Sequence, residues 1–125
     1  METVNREPVL RVVPQPTDIN FNGNIFGGWI LSQMDIAGGL VASRRAGGPV
    51  ATVAIEAMEF HQPIRVGDWL GVYCDIEKVG RTSIAVKIEC LVRRGTEDDE
   101  LKVTDGRFVF VALGDDGKPR PVDGA

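Results

Sequence analysis

The longest hydrophobic pattern in the chain has helical spacing and covers residues 25–45. Asn24 stands just before it and can cap a helix, because its side-chain oxygen can accept from an otherwise unpaired backbone N–H. Gly47-Gly48 can end the helix, and Arg44-Arg45 complement the negative end of its dipole. We therefore predict one helix about 30 Å long.

Shorter apolar runs on both sides of this helix are typical of strands. A first strand is predicted over residues 8–13, followed by a loop over residues 14–24. The segment after the helix contains four strand patterns, at residues 50–60, 69–78, 82–94 and 101–113. The first of these is apolar on both faces, which favours a central position in a sheet. The third alternates between apolar and polar residues, as a half-buried strand does.

The order of these elements is strand, long helix and four strands joined by short turns. Short connections favour antiparallel neighbours, and one helix on one antiparallel sheet is an α+β arrangement. Such a sheet leaves a face or an edge in need of cover, so we expect a homodimer. Residues 1–125 are expected to form one domain with a core at about 9–113, a loose N-terminus and a frayed Gly/Asp/Pro-rich tail.

Two stripes are predicted along the helix. The apolar stripe should pack on the sheet and consists of Phe26, Trp29, Ile30, Ala37, Leu40 and Val41. The second stripe surrounds Asp35 with the small residues Gly28, Ser32, Gly39 and Ala42, which admit close approach by a ligand, a strand or another subunit. Asp35 is either a solvated surface carboxylate or a partly buried general base, and its apolar neighbours in the sequence favour burial.

The predicted start of the helix offers hydrogen-bond donors. Gly27-Gly28 lie in or near the first turn, where backbone N–H groups lack intrahelical partners and could polarise a carbonyl oxygen. Asn20 and Asn24 in the preceding loop carry amides that could orient a water or a carbonyl. Asn24 suits the cap, so Asn20 is the preferred candidate for catalysis.

Three further motifs carry weaker signals. Gly80, Arg81, Thr82 and Ser83 form either an anion cradle or a plain hairpin turn. Thr52 and Glu56 fall on one face of a strand by period-two spacing, so they line a pocket, or Glu56 pairs with an arginine. His61 is interpreted as a turn residue.

Composition narrows the classes of protein. The net charge of −4 over 125 residues argues against broad nucleic-acid binding. The opening residues lack the pattern of a signal peptide, and no apolar run approaches the roughly 20 residues that span a bilayer, so we expect a cytoplasmic protein without a membrane segment. Cys74 and Cys90 have neither metal-ligand nor disulfide spacing and are expected to be free thiols.

Residues 18–35 read D-x-N-x-x-G-N-x-x-G-G-x-x-L-x-x-M-D, which resembles the hotdog-fold acyl-CoA thioesterases, and most closely their YciA-like branch. The resemblance continues through residues 52–56, 63–68, 79–83 and 103–105, in the family's order. One position departs from many relatives, because Phe26 stands where they carry histidine before the Gly-Gly pair.

This resemblance implies a hotdog fold, in which a curved antiparallel sheet wraps a long central helix. It implies that two domains pair with active sites at their interface, and that dimers assemble into hexamers. Asp35 would be the base or nucleophile of thioester hydrolysis, and Asn20 the loop asparagine. Gly27 or Gly28 would polarise the carbonyl across the interface, and Gly80 to Ser83 would contact coenzyme A.

The predicted function is hydrolysis of acyl-CoA to a free acid and coenzyme A, which is part of the substrate, with no cofactor or metal. Two alternatives stay open. One is a sensor that binds acyl-CoA without catalysis. The other is a hotdog enoyl-CoA hydratase, which usually needs an Asp/His or His/Glu pair for which His61 is poorly placed.

Overall fold

In the computed structural model, which describes residues 6–124, one helix lies against a five-stranded antiparallel sheet. The strands are β1 (Leu10–Val12), β2 (Val50–Phe60), β3 (Asp68–Val79), β4 (Ser83–Arg94) and β5 (Glu100–Ala112). The helix α1 spans Gly27–Ala46, and a 3₁₀ turn, Pro16–Asp18, lies in the loop before it. The strand order is β1-β3-β4-β5-β2. The predicted order of elements is confirmed.

The core lies between α1 and one face of the sheet. Strand β4 is at the centre of the sheet, and its alternate residues Ile84, Val86, Ile88, Cys90 and Val92 are fully buried. On β5 the rings of Phe108 and Phe110 stack with their centroids 6.3 Å apart and are also buried. No helix in residues 6–124 is long and apolar enough to cross a membrane.

The helix begins two residues later than predicted. Its N-cap is Phe26, so Asn24 is not the cap. Backbone hydrogen bonds outside the helix explain the delay, because they hold the preceding backbone extended: Ile25 N–H donates to the Ile64 carbonyl (2.9 Å) and Phe26 N–H to the Asp18 carbonyl (3.0 Å). The predicted C-terminal end is confirmed by Gly47, which has a left-handed φ of 73°.

The buried face of α1 is made mostly of small residues. Its buried members are Ile30, Met34, Ala37, Gly38, Ala42 and Ala46. The predicted packing face is wrong in part, because Phe26 and Leu40 are 40% and 54% exposed. The helix is rotated by roughly a quarter turn from the predicted orientation. Of the small residues around Asp35, Ala42 faces the core, whereas Gly28 and Ser32 are exposed.

The sheet supplies the reason for this rotation. Large side chains project from β4 and β5, so the opposing helix face has to be small. A Cβ atom at Gly38 would lie 2.8 Å from Ile88 Cδ1 and 2.9 Å from Phe110 Cζ. Gly38 therefore allows the helix to approach the sheet closely.

Strand β2 lies at the edge of the sheet, not at its centre as predicted. Val50 and Met58 of this strand pack against the core, whereas Val53 and Ile55 are left 58% and 47% exposed in the single chain. Register shifts interrupt its pairing with β5 between Thr52 and Ala54 and again between Glu56 and Glu59. Such bulges are common at sheet edges and redirect side chains.

The C-terminal segment is packed, where a frayed tail was predicted. Val122 is 6% exposed and its N–H donates to the Arg81 carbonyl (2.8 Å). The Arg120 guanidinium donates to the Ala46 carbonyl (2.8 Å), and Arg45 forms a two-pronged ion pair with Asp123. These contacts close the segment over the C-terminal end of α1.

Part of the predicted loose N-terminus, residues 1–5, lies outside the described residues. From residue 6 onward the chain contacts the sheet. The Arg6 guanidinium pairs with Glu89 (2.8 Å) and lies 4.8 Å from the centre of the Tyr73 ring.

The two cysteines are free thiols, as predicted. Cys74 lies opposite Ile88 in the pairing of β3 with β4, which are joined by a hairpin turn over residues 80–82. Cys90 lies opposite Val72. Burial raises the pKa of both thiols to about 12.

Replacing Gly38 by alanine should destabilise the protein, although alanine favours a helix by about 1 kcal/mol. The added methyl would overlap Ile88 and Phe110, and overpacking of this kind costs about 1–3 kcal/mol. The free energy of unfolding in urea measures the effect. The control is Gly39→Ala, whose nearest neighbour would be at an ordinary 3.8 Å. Equal stability of the two variants would contradict the packing described here.

The native thiols should not react with Ellman's reagent at pH 8 within minutes. The thiolate is the reactive form, and a pKa of about 12 leaves about one thiolate in ten thousand. Absorbance of the released chromophore measures the reaction. Protein unfolded in guanidinium chloride should consume two equivalents per chain. Fast reaction of the native protein would show that the cysteines are accessible.

Candidate active site

A cavity of ≈ 270 Å³ opens at the N-terminal end of α1. It is enclosed by the loop before the helix, the first helical turn and the segment that follows β2. Its lining includes Asn20, Gly27, Phe60, His61, Pro63 and Ile64. The cavity therefore joins two of the predicted catalytic residues, Asn20 and Gly27, with side chains from a distant part of the sequence.

The first turn of α1 presents free N–H donors at this cavity. Gly27 and Gly28 are the first two helical residues, and their N–H groups have no acceptor within residues 6–124. Only Gly27 lines the cavity. A Cβ atom there would lie 3.8 Å from the Phe60 ring, whereas one at Gly28 would lie 3.4 Å from the Phe26 ring. Gly27 is the better placed of the two donors for a bound carbonyl.

Asn20 organises the loop that forms one wall of the cavity. Its side-chain oxygen accepts from the backbone N–H groups of Asn22 (2.9 Å) and Asn24 (3.1 Å). Its backbone N–H donates to the Asn24 carbonyl (2.7 Å). The amide oxygen is thus occupied, whereas the amide N–H₂ has no acceptor among the described residues. Asn20 can donate to a ligand in the cavity but is not free to accept from one.

The Asp35 carboxylate lies midway along α1, beside β2. It is exposed in the single chain, so the predicted burial is not found there. The Thr52 hydroxyl donates to Asp35 Oδ1 at 2.5 Å. A short hydrogen bond to a carboxylate is strong and fixes its orientation. The second oxygen, Oδ2, accepts no hydrogen bond within residues 6–124 and is available to a ligand or a water.

The two parts of the candidate site are separated within one chain. Gly27 and Asp35 are eight residues apart on α1, which places them about 12 Å apart along its axis. One carbonyl group cannot contact both residues of the same chain. The two residues belong to one sequence motif, but within one chain they are too far apart to form one site.

Thr52 and Glu56 lie on opposite faces of the sheet, contrary to the prediction that they share one face. Thr52 pairs with Phe110, whose ring faces the core, whereas Glu56 pairs with Arg107. The bulge after Thr52 inserts one residue and thereby reverses the alternation of side chains. Glu56 Oε1 is 3.4 Å from Arg107 Nη1, so the alternative of an arginine pair for Glu56 is found.

The turn from Gly80 to Ser83 connects β3 and β4 at the far end of the molecule. It is closed by Gly80 N–H, which donates to the Ser83 carbonyl (2.8 Å). The Arg81 side chain is exposed and forms no ion pair within the described range. The Arg81 carbonyl accepts from Val122 N–H, in the segment that covers the C-terminal end of α1 about 30 Å from Gly27, and the Thr82 carbonyl accepts from Ala112 N–H of β5.

The sequence interpretation gave no part to Phe60, which faces Gly27, and treated His61 as a turn residue. The signal that could have placed them is Pro63, which stands three residues after the last residue of β2 and marks the end of the strand nearby. Near that strand end, Glu59, His61 and Asp105 bring ligand atoms within 4.8 Å of one another, a grouping that could hold a metal ion. The Lys102 ammonium is already 2.7 Å from the Asp105 carboxylate.

Sequence comparison identifies the class of protein to which this arrangement belongs. Residues 22–98 match the thioesterase superfamily, and the chain belongs to that family. It is 44% identical over 123 residues to the acyl-CoA thioester hydrolase YciA of Salmonella typhimurium, which covers 96% of this chain and 92% of that protein. Identity to YciA of Escherichia coli is 40% over 127 residues, 96% of each protein.

Solved structures of thioesterases share the fold of this chain. A hexameric thioesterase from Yersinia pestis superposes with a TM-score of 0.89 at 41% identity, over 97% of this chain and 98% of that one. A hexameric broad-specificity acyl-coenzyme A thioesterase, crystallised as an aspartate-to-alanine mutant, gives 0.89 at 42% identity over 95% and 88%. The predicted hotdog fold and the membership of the YciA-like branch are confirmed.

Replacing Thr52 by valine should lower the rate of the reaction that Asp35 supports. The variant keeps the shape of the side chain but loses the hydroxyl that orients the carboxylate. We expect kcat to fall about tenfold with little change in KM, measured by steady-state kinetics. Thr52→Ser retains the donor and should restore most of the rate. An equal loss in both variants would mean that the hydrogen bond is not the cause.

Proposed function

We propose that this protein hydrolyses acyl-CoA thioesters to a carboxylic acid and coenzyme A. The observation that carries the proposal is the Gly27 N–H, which has no acceptor within residues 6–124 and opens on a cavity at a helix N-terminus in a chain 44% identical to a YciA acyl-CoA thioester hydrolase. A donor in this position suits a reaction in which negative charge develops on a carbonyl oxygen.

The first component of the mechanism is the oxyanion donor. As an oxygen nucleophile adds to the thioester carbonyl carbon, the carbonyl oxygen gains negative charge. The Gly27 N–H and the positive end of the α1 dipole stabilise that charge. The free amide N–H₂ of Asn20 lies in the same cavity and is a second donor, to the carbonyl or to a water. Removal of one such donor typically lowers kcat by about 10²–10³-fold.

The second component is the Asp35 carboxylate. As a general base it takes a proton from water while the water oxygen bonds to the carbonyl carbon, and the C–S bond then breaks to release the thiolate of coenzyme A. That proton then passes from Asp35 to the thiolate. As a nucleophile Asp35 would instead form a mixed anhydride that water hydrolyses. Both routes use the oxygen of Asp35 that Thr52 does not occupy.

The two components come from two copies of the chain in this proposal. Three observations support it. Gly27 and Asp35 are too far apart in one chain, β2 leaves an unpaired edge beside Asp35, and Val53 and Ile55 of that edge are exposed. A second copy paired along β2 would cover the edge and bring its own Gly27 toward Asp35. Because related thioesterases are hexameric, we propose a hexamer built from such dimers.

The Gly80 to Ser83 turn is the proposed contact for the phosphates of coenzyme A. Support comes from the exposed Arg81 side chain, which forms no ion pair among the described residues, and from the hydroxyls of the neighbouring Thr82 and Ser83. In the proposal Thr52 contributes by orienting the Asp35 carboxylate. Glu56 is left out of it, because that side chain pairs with Arg107 on the other face of the sheet. Water is the only co-reactant that the mechanism needs. Because the proposed substrate is a coenzyme A thioester, we propose that the protein acts in the cytoplasm.

Replacing Asp35 by alanine should lower thiol release from acyl-CoA by about 10²–10⁴-fold, since general acid–base catalysis contributes about that much. A panel of acyl chain lengths with Ellman's reagent measures turnover, and the buried protein thiols should add no background. Asp115→Ala removes an exposed carboxylate away from the cavity and should stay within about twofold of the wild type.

Three outcomes would contradict the proposal. Unchanged turnover in Asp35→Ala would remove Asp35 from the mechanism. A wild-type protein that binds acyl-CoA in calorimetry but releases no thiol would be a sensor. Loss of the enoyl absorbance of crotonyl-CoA without thiol release would indicate a hydratase.

A further inference from the structure

An ion pair between a buried aspartate and a partly exposed arginine lies behind the cavity wall. Asp68, the first residue of β3, is 1% exposed and both of its carboxylate oxygens accept from Arg94, the last residue of β4. Arg94 Nε is 2.9 Å from Oδ1 and Nη2 is 2.8 Å from Oδ2. Arg65 N–H also donates to Oδ2 (2.9 Å). The charge of Asp68 is thus fully paired, which a buried carboxylate requires.

The same guanidinium fixes both ends of the turn between β2 and β3. Arg94 Nη2 donates to the Pro63 carbonyl at 2.9 Å as well as to Asp68. The turn between these two residues includes Gly67, whose φ of 100° few other residues adopt. Arg94 therefore sets the conformation of residues 63–68 from both sides.

The turn over residues 63–68 also holds the backbone that leads into α1. Ile64 is fully buried, and its carbonyl accepts from Ile25 N–H at 2.9 Å. Ile25 stands two residues before Gly27, and Pro63 and Ile64 line the cavity that Gly27 faces. A continuous set of hydrogen bonds thus runs from Arg94 through the turn to the backbone that leads into the first helical turn.

An ion pair with one member buried is a poor way to gain stability, because taking a charge out of water costs free energy and apolar residues of the same volume often stabilise a fold as well or better. Its advantage is geometric, since a guanidinium holds several acceptors in fixed directions. At this position the acceptors held in fixed directions belong to the turn that carries the Ile64 carbonyl.

We propose that Arg94 and Asp68 are positioning residues for thioester hydrolysis: through Pro63 and Ile64 their ion pair fixes the backbone before α1 and aims the Gly27 N–H into the cavity. This inference rests on the proposed function. A displacement of about 1 Å in a catalytic group can cost about 10²-fold in rate. Because the donor acts on charge that develops in the transition state, the loss should fall on kcat and leave KM nearly unchanged.

Arg94→Lys is the test variant. Lysine keeps the charge but is a point donor that cannot hold Asp68 through two atoms and the Pro63 carbonyl at once. The control is Arg45→Lys, because Arg45 also makes a two-pronged pair with an aspartate, the exposed Asp123 (2.8 and 3.0 Å), at the other end of α1. We expect kcat to fall at least about tenfold in Arg94→Lys, with KM within about twofold, and neither constant to change in Arg45→Lys.

A second readout does not depend on activity. The backbone amide resonance of Gly27 in a ¹⁵N-labelled sample should shift in Arg94→Lys and stay in place in Arg45→Lys. If the wild type hydrolyses no acyl-CoA, the proposed function fails while this shift still tests the positioning. A lower melting temperature in Arg94→Lys with unchanged kcat and an unmoved Gly27 resonance would overturn the inference. If Arg94→Lys does not fold, Asp68→Asn, which keeps the volume and the acceptor oxygen, takes its place under the same criteria.

Discussion

The packing of α1 on the sheet depends on one close contact, at Gly38. Ile88 and Phe110 fill the space that any larger residue at this position would need. Because the sheet supplies the bulk, the helix turns its small residues toward it, and this fixes the rotation of α1. With that rotation Asp35 points to the boundary between helix and sheet, where Thr52 can hold one of its carboxylate oxygens.

The packing of α1 on the sheet fixes only one part of the candidate site, the Asp35 carboxylate. The N-terminal end of α1 is held separately, by hydrogen bonds from Ile25 to Ile64 and from Phe26 to Asp18. The oxyanion donor thus depends on the turn between β2 and β3, and the carboxylate on the helix–sheet contact. Their separation along α1, together with the uncovered edge of β2, leaves a second copy of the chain as the means of joining them in the proposed mechanism.

Much of the fold could be predicted from local signals. The apolar periodicity and Gly47 gave the helix and its end, and alternation gave β4. The wrong predictions share a cause, because each depended on a partner distant in the sequence. Asn24 is not the cap because the next two N–H groups donate to the Ile64 and Asp18 carbonyls, and the bulge after Thr52 moved Glu56 to the other face. The carbonyls of Arg81 and Ala46 accept from a tail whose composition is typical of a loose segment.

The sequence by itself determined which elements form, the membership of the thioesterase family and the residues to consider, since periodicity and motif spacing are local properties. Only the tertiary structure decided which of those residues meet. In that structure the Thr52 hydroxyl donates to Asp35, the Asn20 side-chain oxygen accepts from its own loop, and Gly27 faces a cavity. The physical reason is that packing of large side chains and pairing of buried polar groups are satisfied between segments far apart in the chain, and no local pattern records the partner.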